Sequence, residues 1–362
     1  MKIDIQLKRI LQDYSLDKFG IEKQIAKDLG LNRHVIGRLY RNQASRPSLP
    51  VLGKICEWLI EHGVPASLLP GALFGSEPSA LWKAVTQPGS VIIYLGEYLQ
   101  AKDPGIRWVS RRDLTVASEF LRHLSTPNPA GNAAGDARPS VSMVYVPFRF
   151  YGRSKVDKAQ SAEDVRASGH TYKEVKANNG SHAAILIGSQ KVNYLVEHFV
   201  ADLFGGKPFE LDRSKVRVPF HLAYPDSDFA SCFGGPNRLP GQKKACESGL
   251  HYLDASGNWT PIPWKHPRQD AGAVISEYEH GSRGVKLAVF GFSGRGTEAL
   301  GRELLDRPDA FWKSHVDNGR RRVSVCFVRL KIADTFAEGE AAKAAEAEVI
   351  PLDKGILKKY LA

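Results

Sequence analysis

Two glycine-rich segments of the sequence carry the pattern of an anion-binding turn. Each follows a short apolar run (residues 183–187 and 285–290) and precedes a run with helical spacing. Backbone N–H groups at the start of a helix, together with the helix dipole, favour a negatively charged group. The segments therefore predict a site for a phosphate or nucleotide-like ligand. Its predicted lining residues are Gly188, Ser189, Lys191, Asn193, Gly291, Ser293, Gly294, Arg295, Gly296 and Thr297.

The second segment resembles three better-defined motifs but does not establish any of them. A P-loop needs Lys where Gly296 stands, and the Gly-x-Ser-x-Gly nucleophile elbow is broken by Arg295. Residues 294–299 satisfy the loose dinucleotide-binding form that ends in Ala, but the next predicted strand ends near Arg329 without an acidic residue to hold a ribose. The alternative interpretation is that both sets of glycines only make tight turns from strand to helix.

Two carboxylates beyond the first predicted strand are further candidates for chemistry. Glu97 and Asp113 would suit general acid–base catalysis in a hydrolase. The commoner role is structural, with Asp113 as a charge at a helix N-terminus and Glu97 as a solvated loop residue. No catalytic residue is therefore assigned from the sequence.

The cysteines and histidines show no spacing that predicts a metal site. Cys56 and Cys326 lie in apolar periodic runs and are expected in the core, whereas Cys232 and Cys246 lie in a Gly- and Pro-rich region where exposure is expected. No Cys-x-x-Cys pair or matching histidine cluster occurs. We therefore predict neither a metal nor another cofactor.

Residues 20–42 have the pattern of two short helices joined by a tight turn. Gly30 suits the turn because glycine adopts a left-handed conformation without steric cost, and Asn32 suits the N-cap of the second helix. Ala26 is small where the two helices must approach closely. The side chains predicted to face inward from the two helices are Ile21, Ile25, Ala26, Leu29, Val35, Ile36 and Leu39.

This pattern, with one more predicted helix on either side, resembles the lambda-repressor and Cro-like helix-turn-helix family of DNA-binding regulators over about residues 1–65. The match runs from Gln24 through Gly30, Ile36 and Leu39 to the segment that begins at Pro47. The resemblance implies that residues 32–42 form a recognition helix in the major groove of DNA. It assigns base reading to Arg33, His34 and Arg38, with backbone or supporting contacts from Asn32, Arg41, Asn42, Gln43 and Arg46. The alternative is a small helical bundle that binds protein.

Composition is compatible with a nucleic-acid partner. Among 362 residues, Lys and Arg exceed Asp and Glu by 11, and hydrophobic residues make up 43%. Excess positive charge attracts nucleic acid through its phosphates, although here the charge is spread along the chain. The sequence has no apolar run of membrane-spanning length and no signal-peptide layout, so we expect a cytoplasmic, bacterial-type protein without membrane contact.

The predicted organisation is multidomain. An all-α helix-turn-helix domain (1–66) is followed by a connector (67–89) and by an α/β domain (90–362) with a mostly parallel, flavodoxin- or Rossmann-like sheet. Within the third region we predict an irregular β-rich stretch at 216–265, with a hairpin turn at 254–258. The other predictions are strands at 90–95, 141–150, 183–187, 285–290 and 322–329, helices at 113–124, 193–204, 297–305, 333–348 and 357–361, an exposed loop at 126–139, and a polar loop with weak helix at 152–178.

These patterns lead to one main hypothesis and two alternatives. The main hypothesis is a sequence-specific transcription regulator, such as a repressor, that binds double-stranded DNA as a homodimer and whose α/β domain senses a small anionic, nucleotide-like ligand or mediates dimerisation. The first alternative is a nucleotide- or nucleoside-processing, defence-type enzyme, with Ser293, Arg295 and Glu298 lining its active site. The second is a DNA-tethered scaffold whose α/β domain binds only protein.

Overall fold

The chain divides into two compact units, Met1–Ser79 with Thr126–Ala137, and Ala80–Ser125 with Arg138–Ala362. The computed structural model describes residues 7–13, 16–41, 48–64, 80–100, 103–125, 139–148, 158–210, 212–225, 231–242, 244–312, 314–333, 342 and 344–361. Most of the predicted connector (67–89) and of the loop at 126–139 lies outside these ranges.

The described residues of the first unit form four helices around one apolar core. They are α1 (Leu7–Asp13), α2 (Ile21–Asp28), α3 (Arg33–Tyr40) and α4 (Leu49–Glu61). Leu11, Ile25, Ile36 and Leu59 are fully buried in that core, one from each helix. The amphipathic spacing that predicted these helices is therefore the spacing that builds the core. Val35 is the exception, because 39% of it is exposed rather than facing inward.

The second unit is built on a nine-stranded mixed sheet and a separate four-stranded sheet. Its strands are β1 (Ser90–Gln100), β2 (Asp103–Val109), β3 (Ser140–Phe148), β4 (Ala183–Ile187), β5 (Phe220–Tyr224), β6 (Gly234–Pro236), β7 (Gly249–Leu253), β8 (Trp259–Pro263), β9 (Gln269–Glu279), β10 (Val285–Gly291), β11 (Val316–Asp317), β12 (Arg321–Ile332) and β13 (Ala344–Pro351). Its helices are α5 (Ala80–Thr86), α6 (Arg111–Ser125), α7 (Lys158–Ala177), α8 (Tyr194–Leu203), α9 (Gly294–Asp306), α10 (Pro308–Trp312) and α11 (Lys354–Tyr360).

Four neighbouring strands of the large sheet are parallel, in the order β3-β1-β4-β10. The remaining pairs of this sheet, β1 with β2, β10 with β9, and β12 with β9, β11 and β13, are antiparallel. The expectation of a mostly parallel sheet therefore holds for this block only. Because β1 comes first in the chain and lies between β3 and β4, the strand order reverses at β1. In open α/β sheets, ligands bind beyond the carboxyl ends of strands at such a reversal.

Both faces of the large sheet are covered by apolar side chains that alternate along its strands. In β4, Ala183, Ile185 and Ile187 join one core, which includes residues of α5, α6, α9 and α10. Ala184 and Leu186 join the other, which includes residues of α7, α8, α11 and the small sheet. Because both faces are buried, successive side chains of β4 enter different cores, which explains why this strand is apolar throughout.

Two segments differ from their sequence predictions. Residues 158–177 form the long helix α7, not a loop with weak helix, and residues 344–351 form the strand β13, not part of an Ala- and Glu-rich helix. The small sheet, in the order β6-β5-β7-β8, confirms the β-rich reading of residues 216–265. The hairpin at 254–258 joins β7 to β8 and is confirmed as well. In the described part of the chain, no helix is both long and apolar enough to cross a membrane.

Candidate functional site

The exposed side of α3 carries the residues that were assigned to base reading. Arg33, His34 and Arg38 are all exposed, while Ile36 and Leu39 anchor the opposite side of the helix in the core. The Asn32 side chain accepts a hydrogen bond from the His34 N–H at 2.8 Å, so it caps the helix as predicted.

The structure describes some, but not all, of the residues that were predicted to contact the DNA backbone. Arg41 is exposed and lies 3.6 Å from the Glu22 carboxylate, which offsets part of its charge. Asn42, Gln43 and Arg46 lie outside the described residues. The basic surface that the structure describes is therefore centred on the first two turns of α3.

The two glycine turns of the second unit meet at the carboxyl edge of the parallel strands. The Gly188 N–H donates to the Val289 carbonyl at 3.0 Å, which joins the end of β4 to the end of β10. The ring of Tyr224 lies between the turns, with Lys191 Nζ 3.6 Å from its centroid and the Phe292 ring stacked at 4.5 Å. The sequence correctly indicated that both turns project from one edge.

The first turn, residues 188–193, folds over the end of β1. Gly188 has a φ of 101°, in the left-handed region that favours glycine. The Val192 carbonyl oxygen lies 1.4 Å from where a Cβ at Gly96 would stand, so only glycine fits there. Asn193 Nδ2 donates to the Tyr94 and Ile187 carbonyls at 3.0 Å, and Asn193 Oδ1 caps α8. The hydrogen bonds of the Asn193 side chain are therefore used within the protein, where they hold the turn against β1 and β4, and are not available to a ligand.

Several polar groups of the first turn remain unused. In the described ranges, no backbone carbonyl accepts a hydrogen bond from the N–H of Ser189 or Gln190. The Gln190 side chain is fully buried, yet neither its Nε2 nor its Oε1 has a hydrogen-bond partner in the same ranges. The buried Tyr224 hydroxyl lies beside Ser189 and Gln190, also without a hydrogen bond of good geometry. Buried polar groups normally find partners, so this cluster is unusual.

A buried carboxylate faces the first turn. Asp113, in the first turn of α6, is only 3% exposed, and its Oδ2 lies 3.1 Å from where a Cβ at Gly188 would stand. Burial raises the pKa of Asp113 to about 7, and the Ser110 side chain opposes this rise. No Lys or Arg within ion-pair distance of Asp113 is found in the described part of the chain. An acid that titrates near neutral pH beside a strand end is a feature typical of functional sites.

The second turn, residues 291–297, uses its polar groups within the protein. The Gly291 N–H donates to Thr297 Oγ1 at 2.9 Å, and the Thr297 N–H donates to the Ser293 carbonyl at 3.0 Å. Ser293 Oγ caps α9 by accepting from the Gly296 N–H and donates to the buried Asp270 carboxylate. Thr297 Oγ1 in turn donates to the Ser293 carbonyl at 3.2 Å. Among the residues of this turn that were predicted to contact a ligand, Gly294 and Arg295 alone take no part in the hydrogen bonds named here.

Asp270 is the counterpart of Asp113 at this second turn. It accepts from the Ala271 N–H at 2.8 Å and from the Ser293 N–H at 3.3 Å, as well as from the Ser293 hydroxyl. Burial raises the pKa of Asp270 to about 6, against the opposing effect of these hydrogen bonds. Asp113 and Asp270 are thus both buried acids, but only Asp270 has a full set of donors.

Two other acidic residues that the sequence offered as candidates for catalysis form ion pairs in the structure. Glu298 is buried and paired with Arg112, which explains why it is tolerated inside the protein and leaves it poorly placed for catalysis. Glu97 pairs with Arg107 at 3.2 Å across the β1–β2 hairpin. Arg112 also lies against Gly294, so α6 contacts both glycine turns through neighbouring residues.

Ser168 and His198 form a pair that resembles a nucleophile with its base. Ser168 Oγ lies 3.1 Å from His198 Nε2, but its hydroxyl donates to the Val165 carbonyl at 3.0 Å. Because a nucleophilic serine must donate to its histidine, the pair is structural. Burial lowers the pKa of His198 to about 4, which keeps the ring neutral inside the protein.

The cysteines do not add a site. All four are free, and Cys326 is buried as expected, whereas Cys56 is half-buried. Cys232 is buried against the Glu197 carboxylate, contrary to the expectation of exposure, and Cys246 is half-buried. Among the residues that the structure describes, no cluster of His, Cys, Asp and Glu could hold a metal ion.

No protein-family model, no curated protein and no solved structure matches this chain. Function therefore has to be inferred from the geometry of its residues.

Sequence reasoning missed two parts of the carboxyl edge. Asp270 follows Gln269 at the start of an apolar run. These two polar residues beside a predicted strand were the only sign in the sequence that Asp270 could matter. Tyr224 ends β5, which is followed by an irregular stretch without a recognisable motif. Asp113 was considered, but its position beside Gly188 depends on a contact between residues far apart in the chain.

Proposed function

We propose that the protein is a sequence-specific DNA-binding regulator that inserts α3 into the major groove. The observation that carries this proposal is the solvent-facing surface of α3, where Arg33, His34 and Arg38 project from a helix packed against α1 and α2. Arginine pairs well with guanine edges, and a short exposed helix fits the width of the groove. Val35, which sequence analysis assigned to the core, lies on the exposed side and suits contact with a thymine methyl group.

The second unit, in this proposal, regulates DNA binding. It binds a small anionic ligand at the carboxyl edge or mediates homodimerisation, and a ligand with different affinities for two dimer geometries would shift operator affinity. A dimer suits the proposal because a single recognition helix buries little DNA surface. The unused donors of the first glycine turn support a ligand at that place.

The test is selection of bound sequences from a random duplex library by the full-length protein. We expect one enriched site with two-fold symmetry. Arg38→Ala should weaken binding to that site by about 1–3 kcal/mol and change non-specific binding much less. Lys173→Ala is the matched control, since it removes one exposed positive charge from α7 in the other unit. If no sequence is preferred over random competitor at physiological salt, the proposal fails.

A nucleotide-processing enzyme is the second candidate, and the position of Asp113 is the observation that favours it. A buried acid with a pKa of about 7 suits proton transfer at neutral pH. Incubation of the full-length protein with nucleotides, followed by product analysis, distinguishes the two functions. Turnover that is lost in Asp113→Asn favours the enzyme, whereas binding without turnover favours the regulator.

A further inference from the structure

We propose that the first glycine turn binds a ribonucleotide, with Asp113 accepting hydrogen bonds from the ribose hydroxyls and the N–H groups of Ser189 and Gln190 receiving a phosphate. This inference rests on the proposed ligand-sensing role of the second unit and names both the ligand class and the residue that selects it.

The position of the turn is the first argument. It follows β4, next to β1, where the order of the parallel strands reverses. Ligands in open α/β sheets lie beyond the carboxyl ends of strands at this place. The turn itself also crosses the end of β1, since the Val192 carbonyl occupies the space above Gly96. A ligand there would touch the turn and the N-terminus of α6 together.

The unused backbone donors are the second argument. The N–H groups of Ser189 and Gln190 have no carbonyl acceptor in the described ranges, and consecutive free N–H groups in a turn form a concave anion site. Lys191 adds a half-buried positive charge at the same turn. Together they suit a phosphate group.

Asp113 is the third argument, and it is independent of the helix and turn geometry. It is a carboxylate with 3% exposure that faces Gly188 and lacks a cation in the described residues. Burying such a group is unfavourable unless hydrogen-bond donors reach it, and among the described residues only the Ser110 side chain does so. A ribose offers two neighbouring hydroxyl donors, which match the two oxygens of a carboxylate.

The fully buried Gln190 amide is the fourth argument. Its donor and acceptor atoms are both unpaired within the described residues, and it lies beside the unpaired hydroxyl of Tyr224. Buried polar atoms are normally paired, and the polar side chains of the second turn, Ser293 and Thr297, have partners. The polar interior behind the first turn therefore indicates that a polar ligand contributes to this edge.

The test is isothermal titration calorimetry of the full-length protein with ATP, GTP, CTP, UTP, their monophosphates and NAD. We expect at least one ribonucleotide to bind at least tenfold more tightly than its 2′-deoxy form and than inorganic phosphate. Asp113→Asn should lower affinity for the ribonucleotide at least tenfold and remove the preference over the 2′-deoxy form. Asp309→Asn, the same carboxylate-to-amide change at an exposed residue of α10, should leave both unchanged.

Three results would overturn the inference: binding of no ribonucleotide, equal binding of the ribo and deoxy forms, or an unchanged preference in Asp113→Asn. Circular dichroism of each variant shows whether the fold is retained. The DNA selection experiment is scored separately. Ribonucleotide binding without a preferred DNA sequence would refute the DNA-binding proposal alone, and a preferred sequence without ribonucleotide binding would refute this inference alone.

Discussion

The two glycine turns share one sequence pattern, but they differ in where their hydrogen-bond donors go. In the turn after β10, the N–H groups of Gly291, Ser293, Gly296 and Thr297 have acceptors, whereas the N–H of the exposed Gly294 has no carbonyl acceptor among the described residues. In the turn after β4, those of Ser189 and Gln190 have no carbonyl acceptor within the described ranges. A carboxylate faces each turn, but Asp270 accepts from three donors, whereas Asp113 has the Ser110 side chain alone among the described residues.

This difference shows that residues far apart in the chain decide which backbone donors of a glycine turn have acceptors within the protein. Thr297 closes the second turn from the first turn of α9, and Asp270 reaches it from β9. No residue does the same for Ser189 and Gln190 in the described part of the chain. The predictions below test whether the second turn is closed and the first is open.

The largest effect is expected from filling the second turn. In Gly291→Ala, the new Cβ would stand 2.2 Å from the Thr297 backbone nitrogen and 2.7 Å from Gly296 Cα, neither of which can move away cheaply. We expect a loss of about 4 kcal/mol or more in the free energy of unfolding, measured by urea denaturation. Gly281→Ala is the control, because no atom lies within 4 Å of that position. Equal stability of the two variants would mean that the second turn is looser than described.

The next effect concerns Asp270. Asp270→Ala removes the acceptor of the Ser293 hydroxyl and of two backbone N–H groups, and leaves these donors buried. We expect destabilisation of about 3 kcal/mol in the same urea assay. A loss below about 1 kcal/mol would show that these hydrogen bonds are not what secures the second turn.

Asp113 should behave in the opposite way. Its pKa in the folded protein, about 7, lies above the ordinary aspartate pKa of 3.8, so its contribution to stability is present at low pH and is lost as pH rises towards 7. Asp113→Asn cannot ionise and should be more stable than the original protein at pH 8, by on the order of 2 kcal/mol. The gain should shrink towards pH 4, as measured by urea denaturation across pH. Destabilisation at pH 8 would show that the carboxylate has partners in the folded protein.

The smallest effect compares two serines in equivalent places. Ser293→Ala removes the N-cap of α9 and should cost about 1 kcal/mol. Ser189→Ala removes a hydroxyl that caps no helix, so we expect a change within about 0.5 kcal/mol. Thermal denaturation of the two variants at one pH measures the difference. A larger loss in Ser189→Ala would reverse the comparison between the turns.

The fold was predictable where one residue pattern dominated. The apolar run of β4 and the spacing of Ile25, Ile36 and Leu39 identified their elements directly. Helix α7 was missed because its buried side includes the polar residues Asp164 and Ser168, which weaken the apolar pattern. Strand β13 was missed because alanine and glutamate favour helices. There, pairing with β12 and the charge pairs of Glu346 and Glu348 with Lys331 and Arg329 outweigh that preference.

The site was predictable only in part. Glycines are local signals, so the two turns were found in the sequence. Asn193 and Ser293 were predicted as ligand contacts, whereas in the structure they are the N-caps of α8 and α9. Which turn is closed depends on Asp270 and on the approach of Asp113 to Gly188, both set by contacts between distant parts of the chain. Such contacts leave no local pattern, and an unpaired buried group can be recognised only once its neighbours are known.

The position of β4 in the large sheet has a consequence for how the protein is made. Its two partners lie on opposite sides in the chain: Val91–Leu95 precede it by roughly ninety residues, and Lys286–Val289 follow it by about a hundred. During synthesis, one edge of β4 has no partner strand until β10 has emerged from the ribosome. The helices up to Glu61 are synthesised much earlier. A nascent chain stalled before β10 would therefore expose an apolar strand edge, the kind of surface that chaperones protect from aggregation.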